Sequence, residues 1–274
     1  MSDTLTLIQD LARQAGGVLM DGFGRVEHVH HKGATDLVTE YDRLSEELIL
    51  AVLKARFPDY AVLAEESGPS GGGAASGGYR WVVDPLDGTT NFAHGFPFFA
   101  VSIALTRDDR PVLGVVYDPI RDEMFAAEDG KGATLNGAPI HVSAESSLRE
   151  ALLATGFQYD LEHARRANFT EFADFALRAQ GIRRAGSAAL DSAYVGAGRF
   201  DGYWEFGINP WDIAAGALVA REAGGRVTSA DGHETFIGTG TILVSNGHLH
   251  AAMLAVLGGS GDRSGTGSTP RTRG

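Results

Sequence analysis

The spacing of apolar and polar residues in the first half of the chain predicts two helices and a sheet. Apolar residues recur every three or four positions over residues 5–23 and 40–57, as in amphipathic helices. Shorter apolar runs predict strands over residues 60–64, 80–83, 98–106, 112–117 and 123–127. Residues 67–79 are mostly Gly, Ser and Ala, so we predict a mobile loop that either borders a site or only connects two strands.

The second half of the chain alternates predicted strands with predicted helices. The strands cover residues 152–154, 202–205, Val227 and 242–244, and the helices cover residues 164–179, 187–195, 210–223 and 248–257. We therefore expect an α+β half at residues 1–145, an α/β half at 146–257 and a disordered tail at 258–274.

Composition narrows the function class. The chain has 274 residues, 43% of them hydrophobic, which suits a globular protein. The absence of cysteine excludes disulfides and thiolate metal sites. A net charge of -12 argues against broad nucleic-acid binding, and no apolar run approaches the ~20 residues of a membrane span. We expect a cytoplasmic protein that binds neither nucleic acid nor membrane.

Two carboxylates follow the predicted strand at 80–83, within the segment Asp-Pro-Leu-Asp-Gly-Thr-Thr-Asn at 84–91. Asp84 and Asp87 can converge on one point around Pro85, and the Leu86 carbonyl can point there too. Carboxylates this close repel each other unless a proton or a cation neutralises them. Their hard oxygen ligands suit Mg²⁺, Mn²⁺ or Ca²⁺. The alternative is an ordinary turn with an Asx hydrogen bond.

The residues after Asp87 suggest a phosphate site beside the carboxylates. Gly88 lets a ligand approach the backbone closely, and Thr89 or Thr90 can cap a short helix with free N–H groups. Two further aspartates stand where predicted helices begin. Asp42 has capping-box spacing from Thr39, and Asp212 lies in the first helical turn after Pro210. Each of these two residues has an ordinary structural role when it is considered alone.

Several segments, taken in order, resemble the inositol monophosphatase family. They are Asp36-Leu-Val-Thr39 with Asp42, Glu65-Glu66-Ser67, residues 84–92, Gly186-Ser187-Ala188-Ala189, residues 201–205, Pro210-Trp211-Asp212 and residues 222–225. Their order and spacing match from about residue 5 to 257. The Pro before Trp-Asp is typical of the bacterial inositol-1-monophosphatase branch. Ala64 departs from the pattern, since the family usually has Gly there.

The resemblance implies an alternating αβαβα layered sandwich and a Mg²⁺-dependent, lithium-sensitive phosphatase that forms a homodimer. It implies that two or three Mg²⁺ ions are held by Glu65, Asp84, the Leu86 carbonyl, Asp87 and Asp212. The substrate, a small phosphorylated alcohol, would contact Asp87, Gly88, Thr89, Ser187, Ala188, Glu205 and Asp212. Within this set, Gly88 and Thr89 would bind the phosphate, and Ser187 or Ala188 and Glu205 would line the alcohol side.

The residues permit a mechanism in which water activated by metal attacks phosphorus. Glu65 and Thr89 would orient this water and relay its proton, while Asp42 polarises Thr89. The expected reaction converts myo-inositol monophosphate to inositol and phosphate. The alternatives are fructose-1,6-bisphosphatase, histidinol-phosphate phosphatase and 3′-phosphoadenosine 5′-phosphate phosphatase. A catalytically inactive binding or regulatory protein is a further alternative, but it predicts a lost ligand, and none of the implied ligands is missing.

Overall fold

The computed structural model describes residues 2–25, 29–31, 37–72, 77–158, 164, 166–234 and 237–261. The helices are α1 (Asp3–Gly22), α2 (Glu40–Arg56), α3 (Thr89–Ala93), α4 (Phe169–Ala176), α5 (Ala188–Gly196), α6 (Pro210–Glu222) and α7 (His250–Gly261), with a short 3-10 helix at Leu148–Glu150. The strands before residue 100 are β1 (Val29–His31), β2 (Leu37–Thr39), β3 (Ala61–Ala64), β4 (Gly68–Gly71) and β5 (Tyr79–Asp87). The later strands are β6 (Ala100–Arg107), β7 (Arg110–Asp118), β8 (Glu123–Glu128), β9 (Ala133–Leu135), β10 (Ala138–Pro139), β11 (Leu152–Thr155), β12 (Gly181–Arg183), β13 (Gly202–Phe206), β14 (Arg226–Thr228) and β15 (Thr241–Ser245).

The strands form a large sheet, a smaller sheet and a separate pair. The eight-stranded sheet has the order β10-β9-β8-β7-β6-β5-β3-β4 and is antiparallel except where β3 runs parallel to β5. The five-stranded sheet has the order β12-β11-β13-β15-β14, with β11 parallel to both of its neighbours. β1 pairs with β2 apart from both sheets. The large sheet thus comes entirely from the first half of the chain and the small sheet from the second.

Helices cover both faces of each sheet. Successive residues of a strand therefore pack against different helices, because their side chains point to opposite sides of the sheet. Trp81 and Val83 of β5 pack in one core cluster with α1 and α2, whereas Val82 packs in another with α5 and α6. On β13, Tyr203 joins the α5–α6 cluster, and Trp204 packs in a third cluster with α4 and α7. The layers therefore run helix, sheet, helix, sheet, helix, which confirms the predicted αβαβα architecture.

The structure departs from the predicted elements in the Gly-rich region. Residues 67–79 are not loop throughout, because Gly68–Gly71 forms β4 at the edge of the large sheet and pairs antiparallel with β3. A ladder of backbone hydrogen bonds needs no large side chain, so composition does not reveal it. Residues 73–76 of this predicted loop lie outside the described residues.

Three other predicted boundaries also shift. β5 continues to Asp87 instead of ending at residue 83. α4 begins only at Phe169, after Asn168 in the left-handed conformation, and ends at Ala176, so it is shorter than the predicted helix at 164–179. α7 extends to Gly261, so residues 258–261 are helical rather than part of a tail, and residues 262–274 lie outside the described part of the chain. None of the described helices is both long and apolar enough to cross a membrane.

Candidate active site

Three aspartates, two of them buried and the third half-buried, meet where β5 ends beside the start of α6. The pairing of β5 with β6 is regular up to Asp84 and shifts in register between Asp84 and Asp87. Both carboxylates therefore flank an irregular part of the strand. Asp212, in the first turn of α6, completes the group. One carboxylate oxygen from each of the three residues lies within 4.8 Å of the others. We call these three residues the acidic cluster.

Ionising all three carboxyl groups of the acidic cluster at once is unfavourable. Burial raises the pKa of Asp84 well above its usual value, and the negative charges of Glu65, Asp87 and Asp212 raise it further. Burial and the charges of Asp87 and Glu65 act in the same direction on the pKa of Asp212. Burial raises the pKa of Asp87 to about 6, although hydrogen bonds from Ser187, Ala189 and Ala188 oppose the rise. A cation or protons must offset these charges, and an all-oxygen donor set fits a hard divalent cation such as Mg²⁺.

The start of α5 holds Asp87 in place from the other half of the chain. The Ala189 N–H donates to Asp87 Oδ2 at 2.8 Å, the Ala188 N–H donates to Oδ1 at 3.3 Å, and the Ser187 hydroxyl donates to Oδ2. Asp84 is held locally, since its Oδ1 accepts the Leu86 N–H at 3.0 Å. The second half of the fold therefore orients a carboxylate that the first half supplies.

Gly88, not Thr89 or Thr90, is the N-cap of α3, which corrects the prediction for this turn. Its φ of 99° is a left-handed conformation that favours glycine. A Cβ at this position would lie 3.1 Å from the carbonyl oxygens of Gly186 and Phe98. Thr89 is consequently the first helical residue, and its hydroxyl lies 3.0 Å from both Asp42 Oδ1 and the Leu86 carbonyl oxygen.

Asn91 joins the two halves of the chain next to α3. Its Nδ2 donates to the Phe98 carbonyl at 2.7 Å and to the Ala185 carbonyl at 2.8 Å. The role of this side chain was not predicted, because a partner 94 residues away cannot be inferred from local spacing. The bond ties α3 to the segment that leads into α5.

Asp42, Ser45 and Glu46 form a polar face of α2, and only Asp42 of these three residues was predicted to have a role. All three side chains are buried and stand at the i, i+3, i+4 spacing of one helix face. Further along the same face, the buried residues are apolar. Polar residues at core spacing were the available signal, since buried polar side chains require hydrogen-bond partners.

Two further carboxyl groups lie at the site, one on the half-buried Glu205 and one on the buried Asp191. The Tyr203 hydroxyl donates to Glu205 Oε2 at 2.6 Å, and burial raises the pKa of Glu205 to about 7. The Glu205 carboxylate packs against Gly156, where there is no room for a Cβ. Asp191 of α5 was not predicted. Burial, followed by the charges of Glu205 and Asp87, raises its pKa, and its Oδ1 has no hydrogen-bond partner among the described residues.

Almost all of the predicted site residues line one cavity of about 250 Å³. The predicted residues that line it are Glu65, Asp84, Leu86, Asp87, Gly88, Thr89, Ser187, Ala188, Glu205 and Asp212. Gly156, Arg184 and Asp191 line it as well. The remaining predicted residue, Asp42, lies behind Thr89 and contacts it through the hydroxyl. The structure therefore brings the predicted residues together, while their roles remain predictions.

Comparisons with known proteins agree on one family. The model of the Inositol monophosphatase family matches residues 1–260. An inositol-1-monophosphatase from Synechocystis is 47% identical over 254 residues, covering 92% of this chain and 88% of that protein. A protein from Pseudomonas aeruginosa named Nus factor SuhB is 44% identical over 261 residues, covering 94% of this chain and 96% of its own. The solved structure of an inositol monophosphatase from Anabaena superposes with a TM-score of 0.82 at 43% identity, covering 93% of this chain and 97% of that one.

Proposed function

The chain belongs to the inositol monophosphatase family, and we propose that it hydrolyses myo-inositol monophosphate to inositol and phosphate with Mg²⁺ as its cofactor. The observation that carries this proposal is the acidic cluster, which faces the same cavity as the start of α3 and the half-buried Glu205. Membership of this family identifies the protein as a phosphatase. The cavity adds what a phosphatase of a polar alcohol needs, because oxygen donors for a cation lie beside groups that can bind hydroxyls.

In this proposal, Glu65, Asp84, the Leu86 carbonyl, Asp87 and Asp212 hold two or three Mg²⁺ ions. Bound Mg²⁺ would make water a better nucleophile and offset the negative charge that builds up on the phosphate and leaving oxygens. The raised pKa values of Asp84 and Asp212 support this role, because carboxylates that repel one another gain most from a cation. The Asp87 hydrogen bonds from α5 keep that carboxylate oriented without neutralising it.

The chain's own residues would bind the phosphate and accept the proton of the attacking water. The Gly88 and Thr89 N–H groups would donate to phosphate oxygens at the start of α3. The Thr89 hydroxyl, 3.0 Å from Asp42 Oδ1, can donate its proton to Asp42 and keep a lone pair for the attacking water. Glu65 would accept a proton from the same water as its oxygen bonds to phosphorus. The bond from phosphorus to the alcohol oxygen then breaks, that oxygen takes up a proton from solvent water, and Glu65 returns its own proton to solvent.

Ser187, Ala188 and Glu205 would contact the alcohol, with Asp87 and Asp212 near its bridging oxygen. Glu205 lies on the cavity wall between Gly156 and the Tyr203 hydroxyl, so its position is well defined before a substrate arrives. A carboxylate held in this way is a good acceptor for hydroxyl groups of a polyol. This arrangement supports an inositol phosphate over a substrate whose alcohol side is apolar.

We test the proposal with phosphate release from inositol-1-phosphate, fructose-1,6-bisphosphate, histidinol phosphate and 3′-phosphoadenosine 5′-phosphate, each with Mg²⁺ and with chelator. The expected result is the highest kcat/KM for inositol-1-phosphate, no release in chelator and inhibition by lithium. Glu205→Ala should raise KM for inositol-1-phosphate more than it lowers kcat, because Glu205 touches the alcohol. A higher kcat/KM for another substrate would replace inositol phosphate in the proposal. Release from none of the four would favour an inactive binding protein.

We also propose that the chain acts in the cytoplasm as a homodimer and binds neither nucleic acid nor membrane. Its similarity to a Nus factor SuhB makes nucleic acid worth testing directly. The net charge of -12 opposes contact with a phosphate backbone, so we expect no mobility shift of RNA or DNA at physiological salt. Sedimentation of the purified chain tests the dimer.

A further inference from the structure

The polar face of α2 contacts three chain segments that build the acidic side of the site. Asp42 Oδ1 accepts the Thr89 hydroxyl at the start of α3 at 3.0 Å. The Ser45 hydroxyl donates to the Pro85 carbonyl, between the two aspartates of β5, at 3.0 Å. Glu46 binds the turn that follows β3. One helix face therefore contacts the turn after β3, the end of β5 and the start of α3.

Glu46 is the residue of this face that binds the turn next to Glu65. Its side chain is only 4% exposed, and both of its carboxylate oxygens are used. Oε2 accepts the Glu66 N–H at 2.8 Å, and Oε1 accepts the Ser67 N–H at 2.9 Å. A buried carboxyl group is tolerated only when its oxygens are hydrogen-bonded, and losing it would leave both N–H groups without their acceptor.

The two bound N–H groups belong to the residues directly after Glu65. On the other side, the Glu65 N–H donates to the Val83 carbonyl of β5 at 3.2 Å, next to the paired residues Ala64 and Val83. The backbone at Glu65 is thus held by β5 before the turn and by Glu46 after it. Its carboxyl group lies within hydrogen-bonding reach of Asp84 and raises the pKa of that residue.

We propose that Glu46 is a positioning residue that keeps the Glu65 carboxylate at the acidic cluster and thereby sets the affinity of the site for its divalent cation. The proposal rests on the proposed role of Glu65 as a metal ligand. Glu46 does not line the cavity, so it acts through the turn and touches neither cation nor substrate. Outer groups that orient metal ligands typically change metal affinity by 10- to 100-fold when they are removed.

The test compares Glu46→Gln with Glu47→Gln and Glu65→Gln. Gln at position 46 keeps one acceptor oxygen but turns an NH₂ group towards one of the two bound N–H groups. Glu47 is exposed on the same helix, so Glu47→Gln makes the same charge change without touching the turn. Mg²⁺ binding is measured by titration calorimetry on the full chain, and kcat and KM for inositol-1-phosphate are measured across a range of Mg²⁺ concentrations.

We expect Glu46→Gln to weaken Mg²⁺ binding by about 10- to 100-fold, as second-layer substitutions do, and Glu47→Gln to leave it within about twofold. At saturating Mg²⁺, Glu46→Gln should recover most of its turnover, with KM for inositol-1-phosphate within about twofold of the parent. A purely structural hydrogen bond would lower the melting temperature but would not separate Mg²⁺ affinity from KM.

Mg²⁺ binding in Glu46→Gln equal to that in Glu47→Gln overturns the proposal, whatever the melting temperature. If circular dichroism shows Glu46→Gln to be unfolded, Glu46→Asp carries the test, since it keeps the charge but ends one methylene short of the two N–H groups. Weakened Mg²⁺ binding in Glu65→Gln beside normal binding in the Glu46 variant overturns the role of Glu46 alone. Normal binding in Glu65→Gln overturns the ligand assignment and the role of Glu46 with it.

Discussion

The helices α2 and α6 begin at the site in the same way, yet only one of them contributes a carboxylate to the acidic cluster. Each helix has an aspartate three residues after its N-cap. Asp42 Oδ2 accepts the Thr39 N–H at 2.8 Å, and Asp212 Oδ2 accepts the Asn209 N–H at 2.8 Å. The local motif is a capping interaction in both helices, so it does not distinguish between them.

The two aspartates differ in what else surrounds the carboxylate. Asp42 also accepts the Thr39 hydroxyl at 2.6 Å on Oδ2 and the Thr89 hydroxyl on Oδ1, so donors surround it. Asp212 instead has an oxygen within 4.8 Å of one oxygen each of Asp84 and Asp87, and burial together with the charges of Asp87 and Glu65 raises its pKa. In both helices the capping hydrogen bond uses only one of the two carboxyl oxygens. Tertiary neighbours decide whether the rest orients a hydroxyl or attracts a cation.

The largest expected effect that separates the two aspartates is the loss of turnover in Asp212→Asn. The amide can still accept the Asn209 N–H, so the cap survives, but one negative ligand disappears. A loss of about 4 kcal/mol of charge stabilisation corresponds to a fall in kcat of about 10³-fold. Steady-state kinetics and Mg²⁺ calorimetry check this. A kcat within about tenfold of the parent would remove Asp212 from the proposed ligands.

A smaller and different effect is expected for Asp42→Asn. This change weakens the acceptor for the Thr89 hydroxyl, so kcat should fall by about 10- to 100-fold, a typical loss for a group in proton transfer. Mg²⁺ affinity should stay within about threefold of the parent, because Asp42 lies behind Thr89. Thr89→Ser, which keeps the hydroxyl, is the matched control and should retain most turnover. Equal losses of Mg²⁺ affinity in Asp42→Asn and Asp212→Asn would mean that the two residues share one role.

The smallest expected effect concerns melting temperatures in chelator, where Asp212→Asn and Asp42→Asn should shift the melting temperature in opposite directions. Folding raises the pKa of Asp87 to about 6, from about 3.9 in an unfolded chain. A carboxyl group of this kind stabilises the fold below its unfolded pKa and loses that contribution as pH rises through its folded pKa. The pKa of Asp212 is raised as well, so without metal we expect the melting temperature to fall between about pH 4 and 7.

At pH 8 in chelator, Asp212→Asn should therefore melt above the parent, because one repelling charge is gone. Asp42→Asn should melt below it, because an amide has one acceptor oxygen where the carboxyl group of Asp42 uses two. Each kcal/mol corresponds to about 2–4 °C for a chain near this size. Calorimetric melting of both variants measures the two shifts. A decrease in both variants would show that repulsion in the acidic cluster does not destabilise the metal-free fold.

Much of the fold could be predicted from local sequence, although some boundaries could not. The helical periodicity of α1, α2 and α6 and the apolar run of β5 are local features, so their approximate positions were predicted. The capping box of Thr39 and Asp42 was predicted from spacing and is present. β4 was not predicted, because its pairing with β3 depends on backbone hydrogen bonds that a Gly-rich composition does not reveal.

Local patterns predicted most of the helices and strands, and the family resemblance predicted the layered architecture and most of the residues named at the cavity. How those residues are oriented follows only from the tertiary structure. Thr89 contacts Asp42 across 47 positions, Asp87 receives N–H groups from 101 and 102 positions away, and Glu46 holds the turn after Glu65 from 20 and 21 positions away. The reason is physical: helix and strand patterns arise from neighbours along the chain, whereas the partner of a buried carboxylate is set by where distant backbone and hydroxyl groups meet it.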